Sequence, residues 1–192
     1  MAQRWRTNTR RQKSVAKPLD SETLEALALA YAGRFATSRA KLVAYLTRKL
    51  RERGWANGDE PAVNAPFEAP IEAIADRMVA LRYVDDAAYA AMTSDAMQRR
   101  GLGARRIAQR LAADGIGDET RDEASPDEAE RWGAAERLAR RKHIGPFAHT
   151  APDRALREKQ IAAFLRAGHD MAMARKWVDA APGEMPDGPE TG

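Results

Sequence analysis

The chain has 192 residues, of which 44% are hydrophobic and only 6% aromatic, and its formal net charge is +4. The absence of cysteine excludes disulfides, thiolate metal sites and cysteine nucleophiles. No run approaches the roughly 20 apolar residues that a membrane span needs, so we expect a cytoplasmic protein with no membrane contact.

Amphipathic helices are predicted along the first part of the chain. The first helix begins near Asp20 or Ser21, either of which can cap a helix, and ends at Gly33. A second helix is predicted over residues 38–54, because its apolar residues form one stripe and a glycine follows it. Residues 57–70 hold three prolines and favour a loop.

A third helix is predicted from Ile71, and a fourth begins at the acidic pair Asp85 and Asp86. We interpret both acids as capping residues rather than metal ligands, because no histidine or third acid lies nearby in sequence. The turn at 101–103 separates this helix from a fifth over residues 104–114.

The acidic stretch 117–130 contains the next predicted helix start. In Ser125-Pro126-Asp127-Glu128, Ser125 is predicted to cap the helix, proline to take its first position and glutamate to complete a capping box. This helix runs to about Lys142, and two more follow over 152–167 and 170–178. No segment alternates with a period of two, so we expect an all-helical protein of eight or nine helices.

Three predicted helices share one spacing of polar, aliphatic, large and leucine residues. They read Lys41-Leu42-x-x-Tyr45-Leu46, Arg106-Ile107-x-x-Arg110-Leu111 and Gln160-Ile161-x-x-Phe164-Leu165. This spacing predicts three tandem three-helix repeats that form an elongated, solenoid-like array. An irregular helical bundle is the alternative, since any two amphipathic helices can share such a spacing.

The predicted boundaries divide the chain into three repeats and two tails. A flexible basic tail at 1–19 and a flexible acidic tail at 181–192 flank the repeats, because both ends are polar and aperiodic. The repeats are predicted over 20–83, 84–125 and 126–180.

The segment Leu81-Arg82-Tyr83-Val84-Asp85-Asp86-Ala87-Ala88-Tyr89-Ala90 resembles the most recognisable stretch of the RecX family. The following elements, Gly101-Leu102-Gly103-Ala104-Arg105-Arg106-Ile107 and Leu111-x-x-x-Gly115-Ile116, are also similar to that family. The resemblance covers roughly residues 20–180. It implies three tandem three-helix repeats in a curved array that docks in the groove of a RecA filament on single-stranded DNA. It also implies effects on recombinase and ATPase activity, without catalysis or a cofactor of its own.

Basic side chains are clustered in three helices, whereas the acids are concentrated in residues 114–130. We predict that these clusters line one concave side and bind an anionic partner surface. The predicted partner-binding residues are Arg39, Lys41, Arg48, Lys49, Arg99, Arg100, Arg105, Arg106, Arg110, Arg140 and Arg141.

Three functional hypotheses follow from these patterns and from the resemblance. The preferred hypothesis is a monomeric regulator of the RecA filament that can also contact single-stranded or duplex DNA. The alternative is a direct DNA-binding module, because residues 100–107 also resemble a helix–hairpin–helix turn whose backbone N–H groups hold a phosphate. A helical adaptor for another acidic protein is the third.

An enzyme is not expected from the remaining motifs. The histidines His143, His149 and His169 lack the spacing of a helical metal pair, and we expect them at the surface or at helix ends. The Gly-x-Gly at 101–103 lacks both the third glycine and the preceding strand of a dinucleotide loop. We therefore expect no metal, no cofactor and no catalytic residue.

Overall fold

The computed structural model describes residues 17–56 and 68–189, and over these ranges it contains nine α-helices, one short 3₁₀ turn and no strand. The predicted all-helical fold is confirmed. The helices are α1 (Ser21–Arg34), α2 (Arg39–Arg53), α3 (Glu68–Ala80), α4 (Asp86–Arg99), α5 (Ala104–Ala113), α6 (Asp118–Glu123), α7 (Glu128–Lys142), α8 (Arg154–Ala167) and α9 (Met171–Val178). None of these helices is both long enough and apolar enough to cross a membrane.

The helices form three consecutive groups, each with its own hydrophobic cluster. The first module, α1–α3, buries Leu24, Leu42, Leu46, Ile71 and Met78. The second module, α4–α6, buries Tyr89, Met97, Ile107, Leu111 and Ile116. The third module, α7–α9, buries Leu138, Ile144, Phe164, Trp177 and Val178. Full burial of each large apolar side chain contributes about 1.5–3 kcal/mol, so each module has a core of its own.

Helices in all three modules begin with the same kind of N-cap. The capping side chain accepts a hydrogen bond from the backbone N–H three residues later, and each such cap contributes about 1 kcal/mol. The caps of this kind include Asp20, Ser38, Asp85, Asp153 and Asp170.

The start of α7 differs from the sequence prediction, because Asp127 rather than Ser125 is the cap. Asp127 accepts a hydrogen bond from the N–H of Glu130 at 2.7 Å, and the Glu130 carboxylate accepts the N–H of Asp127 at 2.9 Å. Ser125 is exposed, and its own N–H is donated to the carbonyl oxygen of Asp122 in the turn that closes α6. The capping box is therefore present two residues later than predicted.

The short helix α6 could not be recognised by apolar periodicity. Its six residues, Asp118–Glu123, include none that is buried. A helix of this kind has no apolar stripe to detect.

Residues near the inner ends of both predicted tails contact the folded modules. Leu19 is fully buried in the first module, where it donates its N–H to Gly54 and accepts the N–H of Ala56, each at 2.8 Å. Near the other end, Gly183 donates its N–H to the carbonyl oxygen of Pro146 at 2.9 Å. Residues 17–19 and 183 therefore pack on the folded modules. The remainder of the predicted basic tail, residues 1–16, lies outside the described ranges.

Candidate partner-binding site

A groove of about 630 Å³ lies between α4 and α5 in the second module. Its floor is apolar and includes the Met92 side chain, which is 47% exposed. Its basic residues are Arg100, Arg106 and Arg110, and no carboxylate lines it within the described part of the chain. We call this feature the α4–α5 groove.

Local sequence determines how the three guanidinium groups reach the groove. Arg106 and Arg110 are one helical turn apart on α5, so they lie on the same face, while Ile107 and Leu111 point into the core. Arg100 follows the last residue of α4. Its backbone carbonyl oxygen accepts a hydrogen bond from the Arg141 guanidinium at 2.5 Å, which links the groove to α7.

Two residues that line the groove, Tyr89 and Arg110, are bonded to the carboxylate of Asp114, a residue that is only 8% exposed. This carboxylate accepts hydrogen bonds from the Tyr89 hydroxyl at 2.7 Å and from the Arg110 Nε at 2.8 Å. The hydrogen bond to Asp114, and next that to Tyr89, raises the pKa of the Arg110 guanidinium. Arg110 is therefore held in place as a cation beside the apolar floor.

The same carboxylate forms part of the junction between the first and second modules. The Lys41 ammonium donates a hydrogen bond to the Tyr89 hydroxyl at 2.8 Å and lies 3.9 Å from Asp114. The Ser38 hydroxyl donates to the backbone carbonyl oxygen of Asp114 at 2.6 Å. Lys41, predicted to bind a partner, thus has a role in joining two modules.

The two aspartates at the start of α4 serve two different helices. Asp85 caps α4 by accepting the N–H of Ala88 at 2.9 Å. Asp86 instead accepts the N–H of Arg39 at 2.8 Å, and so satisfies a backbone donor in the first turn of α2. The adjacent acids therefore cap one helix in each of two neighbouring modules, which the sequence alone did not predict.

Arg39 was also predicted to bind a partner, but its guanidinium group joins α2 to α3. It donates hydrogen bonds to Glu72 at 2.6 Å and to Asp76 at 2.7 Å. These bonds, with that to Asp76 first, raise its pKa.

The junction between the second and third modules is a close backbone contact. Gly103 donates its N–H to the Ala167 carbonyl oxygen at 2.9 Å, and Arg105 donates its N–H to the Gly168 carbonyl oxygen at 3.2 Å. A Cβ atom on Gly103 would lie 2.5 Å from the Gly168 backbone. Glycine is therefore required at Gly103 for the two backbones to approach.

This contact is an argument against the alternative of a helix–hairpin–helix turn at residues 100–107. Such a turn binds phosphate through unpaired N–H groups at a helix start. Here two of those donors, at Gly103 and Arg105, already pair with carbonyl oxygens of the third module. The turn is therefore a structural junction, in which these two donors are not free to hold a phosphate.

The histidine at this junction lies between the end of α8 and the start of α9, which is one of the two predicted positions, but it is buried rather than at the surface. His169 is 3% exposed, and its Nε2 lies 3.2 Å from the carbonyl oxygen of Gly101. Burial lowers the pKa of the His169 imidazole, which favours the neutral form. His143 and His149 are exposed.

The other predicted basic residues lie outside the groove. Arg48 and Lys49 pair with a glutamate on their own helix. Arg105 lines a separate depression together with Arg131, although it is adjacent in sequence to the groove residue Arg106. Arg99 forms an ion pair with Asp95 on α4, and Arg140 forms an ion pair with Glu136 on α7.

Sequence reasoning missed the apolar floor and the Tyr89–Asp114 pair. Met92 on α4 has no unusual neighbours in sequence, so only the packing of α5 beside it defines a groove. The spacing of four between Arg110 and Asp114 was a usable signal, because residues four apart on a helix can form an ion pair. Over residues 17–56 and 68–189, no group of three or more acidic or histidine side chains is placed to hold a metal ion.

The second module is the part of the chain that a known family model matches. Residues 85–124, which include α4 to α6, match the family described as RecX, second three-helix domain. The chain is 30% identical over 133 residues to the Regulatory protein RecX of Myxococcus xanthus (strain DK1622). That alignment covers 65% of this chain and 66% of the relative, just under two thirds of its length.

Two solved structures have the same fold. The crystal structure of a regulatory protein RecX matches with a TM-score of 0.57 and 21% identity, covering 80% of this chain and 70% of that one. RecX from Lactobacillus salivarius matches with a TM-score of 0.59 and 20% identity, covering 80% and 91%. At these identities the structural matches support the fold alone. The family model and the Myxococcus relative show that this chain is similar to the RecX family of regulatory proteins.

Proposed function

We propose that this chain acts as a monomer in the cytoplasm, binds RecA filaments on single-stranded DNA, and mainly inhibits their recombinase and ATPase activity. The supporting observation is the basic α4–α5 groove in a chain that is similar to regulatory proteins of the RecX family. Two guanidinium groups of this groove, those of Arg100 and Arg106, have no carboxylate partner among the described residues, so they attract an anionic surface and increase the rate of encounter with it.

The test measures ATP hydrolysis by RecA on single-stranded DNA while the full chain is added at increasing concentration. We expect the hydrolysis rate to fall and the chain to sediment with the filaments. Both effects should weaken as salt is raised, because screening reduces charge attraction between exposed surfaces. Binding to DNA alone, without RecA, serves as the control.

Two results would contradict the proposal. One is an unchanged ATPase rate together with no co-sedimentation at low salt and sub-micromolar concentration. The other is equal binding to bare DNA and to RecA filaments, which would identify DNA as the partner.

A further inference from the structure

The α4–α5 groove combines two kinds of surface that a single ligand must satisfy. Met92, Ala96 and Ala113 supply apolar contact area, while Arg100 and Arg106 supply positive charge. Methionine adapts its shape to different apolar partners, and arginine binds carboxylates with two parallel hydrogen bonds. The ligand that fits carries an apolar side chain flanked by carboxylates.

The groove has few features that favour nucleic acid. Proteins that bind single strands stack bases on exposed aromatic rings. The one aromatic ring among the lining residues belongs to Tyr89, which is 6% exposed and whose hydroxyl is bonded to Asp114. A phosphate backbone would gain from the arginines but would leave the exposed Met92 side chain without an apolar partner.

The arginines differ in how available they are. Arg110 already pairs with Asp114, whereas Arg100 and Arg106 form no ion pair within the described part of the chain. Two guanidinium groups beside an apolar floor thus remain to pair with carboxylates from outside.

We propose that the α4–α5 groove binds an acidic segment of protein on the filament, with an aliphatic side chain against Met92 and carboxylates paired with Arg100 and Arg106. This inference rests on the proposed function, because it takes the filament as the source of the segment. It adds the chemical class of the segment and excludes the DNA strand from this site.

The first experiment compares the affinity of full-length variants for RecA–single-stranded DNA filaments. Removing the charge in Arg106→Ala should weaken binding about tenfold, as for an arginine at the centre of an interface. Arg154→Ala is the matched control, because its side chain is 94% exposed on α8 in the third module. We expect this control to bind like the unmodified chain.

The second comparison separates a protein segment from a phosphate backbone. Met92→Gln keeps the size and charge of the side chain but removes its apolar surface, so it should weaken binding about fivefold. Met92→Leu should restore the affinity. Met171→Gln, at a methionine with similar exposure on α9, is the control.

The third measurement identifies the occupant directly. The chain contains no cysteine, so Gln109→Cys at the edge of the groove accepts a single photo-cross-linker, and Arg154→Cys provides a control attachment. We expect the Gln109 adduct on a RecA segment that contains several carboxylates. Mass spectrometry of the digested adduct locates that segment.

Each result decides the proposal. A protein adduct together with losses in Arg106→Ala and Met92→Gln supports it. An adduct on DNA with unchanged binding by Met92→Gln overturns it, as does filament binding that is unaffected by either groove variant. In both of these cases the chain still binds filaments, so the proposed function remains. Failure of the unmodified chain to bind filaments would overturn the proposed function itself.

Discussion

Gly103 and Gly168 are in backbone contact at the junction between the second and third modules. A Cβ atom on Gly103 would lie 2.5 Å from both the carbonyl carbon and the carbonyl oxygen of Gly168. The N–H of Arg105 also donates to that carbonyl oxygen. A methyl group at Gly103 would therefore separate two chain segments that are hydrogen bonded to each other.

We expect Gly103→Ala to lower the free energy of unfolding by about 2 kcal/mol, because close-packed backbone cannot accommodate the added methyl group. Gly117→Ala is a matched control: both glycines precede a helix in an extended conformation, but no atom lies within 4 Å of a Cβ at Gly117. The preference for glycine over alanine at a helix cap is common to both variants. If urea denaturation shows equal losses of unfolding free energy in Gly103→Ala and Gly117→Ala, the contact between Gly103 and Gly168 contributes nothing to stability.

The buried carboxylate of Asp114 should contribute strongly to stability. Asp114→Asn removes the charge that pairs with Arg110 and alters the hydrogen bond from Tyr89, so we expect a loss of about 2 kcal/mol. Tyr89→Phe should cost about 1–2 kcal/mol, since it removes the hydrogen bond to Asp114 and the one from Lys41. Asp122→Asn, at an exposed aspartate of α6, should have little effect.

A double variant provides the stricter test of this pair. If the Tyr89 hydroxyl acts through the Asp114 carboxylate, Tyr89→Phe should cost less when Asp114→Asn is already present. If the losses of unfolding free energy in the two single variants sum to the loss in the double variant, the direct interaction between Tyr89 and Asp114 is contradicted.

Stability should decrease as the pH falls below about 6.5, because burial lowers the pKa of His169 from that ordinary value. The unfolded chain then binds a proton that the folded chain does not, which favours unfolding. The loss of unfolding free energy grows as the pH falls, until the pH reaches the lowered pKa of His169 in the folded chain. The measurement is the urea midpoint between pH 7.5 and 5.5, a range that lies above the titration of ordinary carboxylates.

The control for this pH dependence is another histidine. His169→Gln should reduce the difference in urea midpoint between pH 7.5 and pH 5.5. His149→Gln, at an exposed position, should retain that difference. The same pH dependence in the unmodified chain and His169→Gln would show that another group is responsible.

The start of α7 offers a direct test of which residue is its cap. Asp127→Ala should lower the unfolding free energy by about 1 kcal/mol, because the N–H of Glu130 loses its acceptor. Ser125→Ala should change it by less than about 0.5 kcal/mol, as is usual for an exposed side chain. A larger loss in Ser125→Ala than in Asp127→Ala would support the cap predicted from sequence.

The sequence by itself determined the helices and the boundaries of most of them. Helical periodicity depends on residues three or four apart, and a cap such as Asp85 depends on an N–H three residues later, so both are readable from neighbouring residues. The pattern failed for α6, which buries no side chain, and for the cap of α7, which lies two residues after the predicted one.

Only the tertiary structure decided which charges are available for a partner. Arg105 and Arg106 are adjacent in sequence but line different depressions, and Lys41 and Asp86 act on a neighbouring module. These assignments depend on how one helix packs beside another, and on contacts between residues up to 76 positions apart. A run of basic residues specifies charge along a helix, whereas packing between helices specifies which side chains are paired and which face the solvent.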